Sequence, residues 1–178
     1  MADEHAFTPH RLILGLLISP DVSLDQVLDD LTGCFGPLLE QSDQHRFTYT
    51  DYYNQEMSGE PYRSYLCFSR LVDPSTLAAI KQQTNKLEDH YRKDGGRRVN
   101  LDPGTLSLAN VILATTKGRA HRIPLSQGIY AELTLLYANK SYQCFPWTYQ
   151  DYASKKVQTL LLQWREQYKK QLKQEGYL

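Results

Sequence analysis

Between Arg97 and Arg122 the chain sets cations, hydroxyls, an amide, a carboxylate and a histidine among apolar neighbours, and here the side chains suited to chemistry are densest. Two groups stand out. Asn100-Leu101-Asp102-Pro103-Gly104 joins two polar residues to a Pro-Gly pair. Proline sets φ and glycine permits a positive one, so this spacing predicts a rigid, sharp turn at a strand end. Such a turn can hold Asp102 as a general base or cation ligand; equally, Asn100 and Asp102 can bond the turn's own backbone. Thr115-Thr116-Lys117-Gly118, with Arg119, His121 and Arg122 close behind, places hydroxyls and cations within eight residues. Phosphate and carboxylate recognition uses that chemistry, and a solvated basic turn has the same composition. His121 and Arg122 open a strand and must face opposite sides of it, so only one can join a site on a given face. His121, whose ordinary pKa lies near neutrality, is the candidate for proton transfer.

Asp51, Glu56, Asp102 and Glu132 could converge as oxygen ligands for magnesium, but no local spacing encodes this and no metal is assigned. The P-loop, the GxGxxG dinucleotide fingerprint, HExxH and GxSxG are all missing from the sequence, so no cofactor is named by motif. Pro146-Trp147-Thr148-Tyr149, followed by Asp151-Tyr152, suits either an aromatic lid over a ligand or plain packing of the last helix on a sheet.

These residues need a scaffold. After a lead-in over 1–9 without periodicity, Arg11 to Ile18 is apolar at nearly every position, as in a strand buried on both faces. Ser23 with Gln26 forms a capping box for a helix over about 22–33. Phe47 and Tyr49 alternate with Thr48 and Thr50 in a second strand from His45 to Asp51, and Tyr62 to Leu71 makes a third. Asp73-Pro74 starts a second helix that runs to Gly95-Gly96, and Arg97 to Leu101 is a short fourth strand. The order βαββαβ predicts an α+β fold, a single domain over 10–178 with a ferredoxin-like core. Leu106 to Leu113 fits a helix or a strand, with helix preferred. His121–Leu125 and Ile129–Tyr137 flank Ser126-Gln127-Gly128 as a hairpin, in which Ile129, Ala131, Leu133, Leu135 and Tyr137 share one face and Glu132 the other. A final amphipathic helix covers about 153–174.

Composition narrows the function classes. Twenty lysines and arginines balance twenty aspartates and glutamates over 178 residues, so no overall field attracts polyanions, and this argues against nucleic acid as a partner. The three cysteines, Cys34, Cys67 and Cys144, follow no metal or disulfide spacing and read as buried thiols in a reducing cytoplasm. The apolar run Leu12–Ile18 is too short to span a bilayer, so a soluble protein with no membrane partner is expected. Thirteen tyrosines could line a ligand or partner surface.

Seven pieces in order carry a resemblance: Asp51-Tyr52-Tyr53; Asn85 with Leu87-Glu88; Arg97 through Gly104; Leu113 through Lys117; His121-Arg122-Ile123; Gly128 through Glu132; and Pro146 through Tyr149 with Asp151-Tyr152. Together they resemble the bacterial and archaeal domain-of-unknown-function family marked by an Asn-Leu-Asp-Pro-Gly motif. Some similar sequences carry a GTP-binding label, which is set aside because this chain lacks a P-loop. The resemblance implies a single intracellular domain and positions to watch, and no reaction. Those positions and the chemistry above give a site with Asp102, His121 and Glu132 as acid-base or orienting groups. Asp51, Arg97, Arg98, Asn100, Thr116, Lys117 and Arg122 are its ligand contacts. The function expected is binding of a nucleotide or other phosphorylated small molecule. The alternative is a non-catalytic protein-interaction module, with self-association left open.

Overall fold

The apolar run that starts the fold becomes the centre of a sheet. The structure, a computed structural model, describes residues 3–49, 57 and 59–178. β1 (His10–Ile18) lies between β4 (Tyr62–Val72) and β5 (Val99–Leu106), antiparallel to both. The remaining strands are β2 (Leu38–Gln41), β3 (His45–Arg46), β6 (Asn110–Thr115), β7 (Arg122–Pro124), β8 (Tyr130–Ala138) and β9 (Ser141–Cys144). Sheet order is β2-β4-β1-β5-β6-β8-β7, with β3 also on β4 and β9 also on β8.

Two helical layers cover this α+β sheet. α1 (Leu24–Phe35) and α2 (Leu77–His90) bury Val27, Leu31, Phe35 and Ile80 against Leu12, Leu14, Leu16 and Ile18 of β1. On the opposite face, α3 (Gln150–Ala153) and α4 (Lys155–Gln174) set Tyr152, Val157, Leu161, Trp164 and Tyr168 against Ile13, Tyr65, Cys67 and Leu113. Because successive strand residues face opposite layers, β1 is apolar at almost every position.

Several boundaries differ from those the sequence suggests, each for a local reason. Ser23 caps α1, but Gly33 lies inside it and the helix ends at Gly36, whose φ of 87° no L side chain adopts readily. The strand expected over 45–51 is reduced to His45–Arg46, because Phe47 turns inward to pack on Leu17 and Met57; residues 50 and 51 lie outside the described residues. α2 stops at His90, since Asp94 and Gly95 form the positive-φ turn that follows. The last helix is two, divided at Ser154, which is extended and caps α4 by accepting from the Val157 N–H.

Asn100–Gly104 is no turn but the interior of β5, and Leu106–Leu113 forms no helix. Ser107 instead closes a tight hairpin: its N–H donates to the Asn110 carbonyl, and its Oγ accepts from the N–H groups of Ala109 and Asn110. β6 then pairs back on β5. The β7–β8 hairpin forms as expected, and Asn139 and Lys140, both with positive φ, make a second tight turn from β8 into β9. No helix among the described residues is long and apolar enough to cross a membrane.

Candidate functional site

β5 and β6 stay paired only from Gly104–Leu106 to Val111–Leu113, and then the sheet forks. Pro103 supplies one reason. Alternate strand residues address alternate neighbours, so Pro103, two positions from Leu101, turns towards β6 and has no N–H to offer it. Gly104 marks the tightest approach: a Cβ there would lie 2.5 Å from the Ile112 carbonyl oxygen and 2.6 Å from a Leu113 methyl. Beyond the fork, side chains of α2 replace the missing strand. Leu101 N–H donates to Glu88 Oε1 at 2.8 Å, and Lys81 Nζ donates to the Leu101 carbonyl at 2.7 Å. Lys81 and Glu88 also pair with each other at 3.4 Å. Burial pushes the Glu88 carboxyl pKa up, against the opposing pull of Lys81, the Leu101 N–H and Arg97.

The fork opens a cleft of about 360 Å³. One wall is α2, through Lys81, Asn85 and Glu88, with Asp89 and Arg92 at its end; a second is β5, through Arg97, Asn100 and Asp102. Leu113 to Lys117 and, beyond them, Glu132 and Tyr149 complete it. Four cations (Lys81, Arg92, Arg97, Lys117) face four carboxylates (Glu88, Asp89, Asp102, Glu132), so the cleft is strongly polar yet formally neutral.

On the β5 side the polar groups form a chain. Arg97 donates to Asn100 Oδ1 at 2.6 Å, and Asn100 Nδ2 donates to Asp102 Oδ2 at 3.0 Å. Behind Asp102 lies Arg63, fully enclosed, its guanidinium 3.3 Å from Asp102 and 2.8 Å from Asp151 Oδ2, which also accepts from the Tyr65 hydroxyl at 2.8 Å. Burial alone would depress the Arg63 pKa, but Asp151, Tyr65, Tyr152 and Asp102 outweigh it and hold the group charged. Gly15 makes this possible: a Cβ there would stand 2.8 Å from an Arg63 nitrogen.

On the β8 side Glu132 Oε2 accepts from Arg122 Nε at 2.6 Å and lies 3.0 Å from His121 Nε2. Arg122 also donates to the Lys117 carbonyl and the Tyr149 hydroxyl, tying the Thr115–Lys117 segment to the aromatic one. His121 stacks on Trp147 at 4.6 Å and Trp147 on Phe145 at 4.9 Å, while the Trp147 indole N–H donates to the Leu133 carbonyl. The Tyr149 hydroxyl pKa is pushed up to about 12 by burial and Glu132, with Arg122 opposing, so it stays protonated.

Of the residues singled out in the sequence, Arg97, Asn100, Asp102, Thr116, Lys117 and Glu132 line the cleft. His121 and Arg122 stand behind Glu132. Both reach it, contrary to the alternation rule, because His121 lies in the turn before β7. Glu132 and Leu135 also share a face, since one step in β6 is matched by two in β8 between Val111 and Ile112, and the bulge reverses the alternation. Arg98 is elsewhere, buried and paired with Asp21 at 3.4 Å and Asp94 at 3.8 Å. Asp51 and Glu56 lie outside the described residues, and among those described no three His, Cys, Asp or Glu side chains group closely enough to hold a metal ion. Cys67 is buried, its thiol pushed up to about 12 by desolvation, but Cys34 and Cys144 are exposed rather than core thiols. Arg63 and Lys81 were not singled out in the sequence, and Glu88 entered there only through the resemblance and not as a site residue. Lys81 and Glu88 are seven apart on one helical face, and Arg63 interrupts an apolar strand two residues from Tyr65, so a signal was present.

Fold and site together define an α+β chain with a charge-balanced cleft at a fork in an antiparallel sheet. The chain belongs to the family described as a domain of unknown function, DUF4416, whose model matches residues 8–168. No curated protein and no solved structure matches it.

Proposed function

We propose that the forked-sheet cleft binds a small phosphorylated or nucleotide-like molecule. The carrying observation is the convergence of Arg97, Thr115, Thr116 and Lys117 on the same polar cleft as Asp102 and Glu132. Cations and hydroxyls suit the oxygens of a phosphate, and carboxylates held from behind by Arg63 and Arg122 suit the hydrogen-bond donors of the rest of a ligand. Its volume lies at the small end of ligand pockets, which favours a compact ligand over an extended one. The other function expected, a partner-binding module, finds its best support in Ile123, in the edge strand β7, and Leu125, just after it, both exposed. That is a small apolar surface beside the many polar groups gathered in the cleft. Three free cysteines accord with a cytoplasmic setting for this reading.

The test is a thermal-shift panel of inorganic phosphate, sugar phosphates and nucleoside phosphates, with and without magnesium. A ligand at a hundred times its Kd stabilises by about 2.7 kcal/mol, a rise of roughly 5–11 °C for a chain this size. Lys117→Ala should shift the saturation curve to higher concentration. A flat response across the panel overturns the proposal.

A further inference from the structure

The carboxylates of Asp102 on the β5 side of the cleft and Glu132 on the β8 side are not equivalent. Asp102 keeps a side chain 34% exposed, and its Oδ2 takes both Asn100 and Arg63. Glu132 is only 1% exposed and its oxygens are unequal: Oε2 has Arg122 and His121, whereas Oε1 is buried with no hydrogen-bond partner among the described residues. A buried acceptor left unpaired is costly, and native proteins leave few of them. The carboxylate is locked from behind, because Arg122 is fixed in turn by the Lys117 carbonyl and Tyr149, and His121 by its stack on Trp147. Oε1 therefore cannot turn away to find a donor without breaking the Arg122 contact.

Resting on the phosphate-binding reading above, we infer that Glu132 Oε1 accepts a hydrogen bond from a ligand hydroxyl, so that the cleft selects a sugar-phosphate-like molecule over phosphate alone. A hydroxyl fits better than an ammonium, because Arg122 already matches the charge of Glu132 at 2.6 Å and a hydroxyl adds none. The spacing suits such a molecule. Leu113 faces Glu132 across the ladder, and Thr115 and Thr116 lie two and three residues further along, about 7–10 Å at the rise of a strand. A phosphate seated at Thr115–Lys117 thus leaves a hydroxyl several bonds away to meet Glu132.

Isothermal titration with inorganic phosphate, ribose 5-phosphate, glucose 6-phosphate and the single-deoxy analogues of each sugar tests this. A sugar phosphate should bind at least about tenfold more tightly than phosphate. Removing one particular hydroxyl should weaken it by roughly ten- to a hundredfold, the size of a hydrogen bond to a charged group. In Glu132→Gln, whose uncharged amide is a weaker partner for the hydroxyl, that deoxy penalty should shrink to roughly tenfold or less while the weak affinity for phosphate persists. If Glu132→Gln does not fold, the deoxy series on the unaltered protein decides alone. Equal binding of every deoxy analogue, or of phosphate and sugar phosphates, overturns the inference and leaves phosphate binding standing. No binding of any of these probes overturns both.

Discussion

Replacing Gly104 by alanine tests the account of the fork most directly. The added Cβ would sit 2.5 Å from the Ile112 carbonyl oxygen and 2.6 Å from a Leu113 methyl, whereas real Cβ contacts essentially never fall below 3.0 Å. The methyl can yield by a rotamer change, but the carbonyl belongs to the backbone of β6, which must retreat by at least about half an ångström. The short β5–β6 ladder around Gly104 is the hinge of the cleft, and its bonds would lengthen with that retreat. Overpacking of this kind costs about 1–3 kcal/mol, a fall in Tm of roughly 2–12 °C for a chain this size. Urea unfolding measures it, with the m-value unchanged if only stability is altered. Gly33→Ala is the matched control: it lies in α1 with nothing within 4 Å of an added Cβ, and alanine there should stabilise by about 0.5–1 kcal/mol. If Gly104→Ala unfolds within about 0.5 kcal/mol of the unaltered protein, the close approach is not what holds the fork, and the reasoning fails.

Two other measurements probe the polar frame. Asp151→Asn leaves the enclosed Arg63 with the half-exposed Asp102 as its one carboxylate partner among the described residues, and breaking a buried pair from one side costs about 3–5 kcal/mol. Adding Arg63→Met to it should recover part of that loss in urea unfolding, while a single-variant cost below about 1 kcal/mol would contradict the account. Burial lowers the pKa of His10, with Asp73 opposing, and of His45, with the backbone at Asp43 opposing. The unfolded chain therefore takes up these protons first, so their contribution is complete above the ordinary histidine value of about 6.5 and is lost as pH falls through it towards the lower folded values. The urea midpoint should drop between about pH 7.5 and 5.5, and a His10→Gln/His45→Gln variant should show a smaller drop; equal slopes would refute the assignment.

Much of the architecture was legible because it is local. Ser23 and Asp73 announce helix starts through side chains that cap whatever backbone follows, and the unbroken apolar run of β1 can only be a strand covered on both faces. Polar residues amid apolar ones likewise marked Asp102, Lys117 and Glu132 for attention. What local pattern could not decide was how strands meet. Asp102-Pro103-Gly104 has the composition of a turn, but β1 pairs along the whole of that segment and holds it extended; the proline then acts by withholding an N–H from β6 and the glycine by admitting the Ile112 carbonyl. Leu106–Leu113 has no decisive period, and the Ser107 hydrogen bonds with the ladder beyond them make it a hairpin. His121 and Arg122 both reach Glu132 because one lies before the strand, and the bulge in β8 turns Leu135 to the face of Glu132. Arg63, Lys81 and Glu88 become part of the site only when β4 is set one strand away from β5, across β1, and α2 is packed on β5. Residue types and spacings determine which elements form and which side chains are unusual for a core. Pairing register, a bulge and a fork, which depend on distant backbone, decide which of those side chains share a cleft.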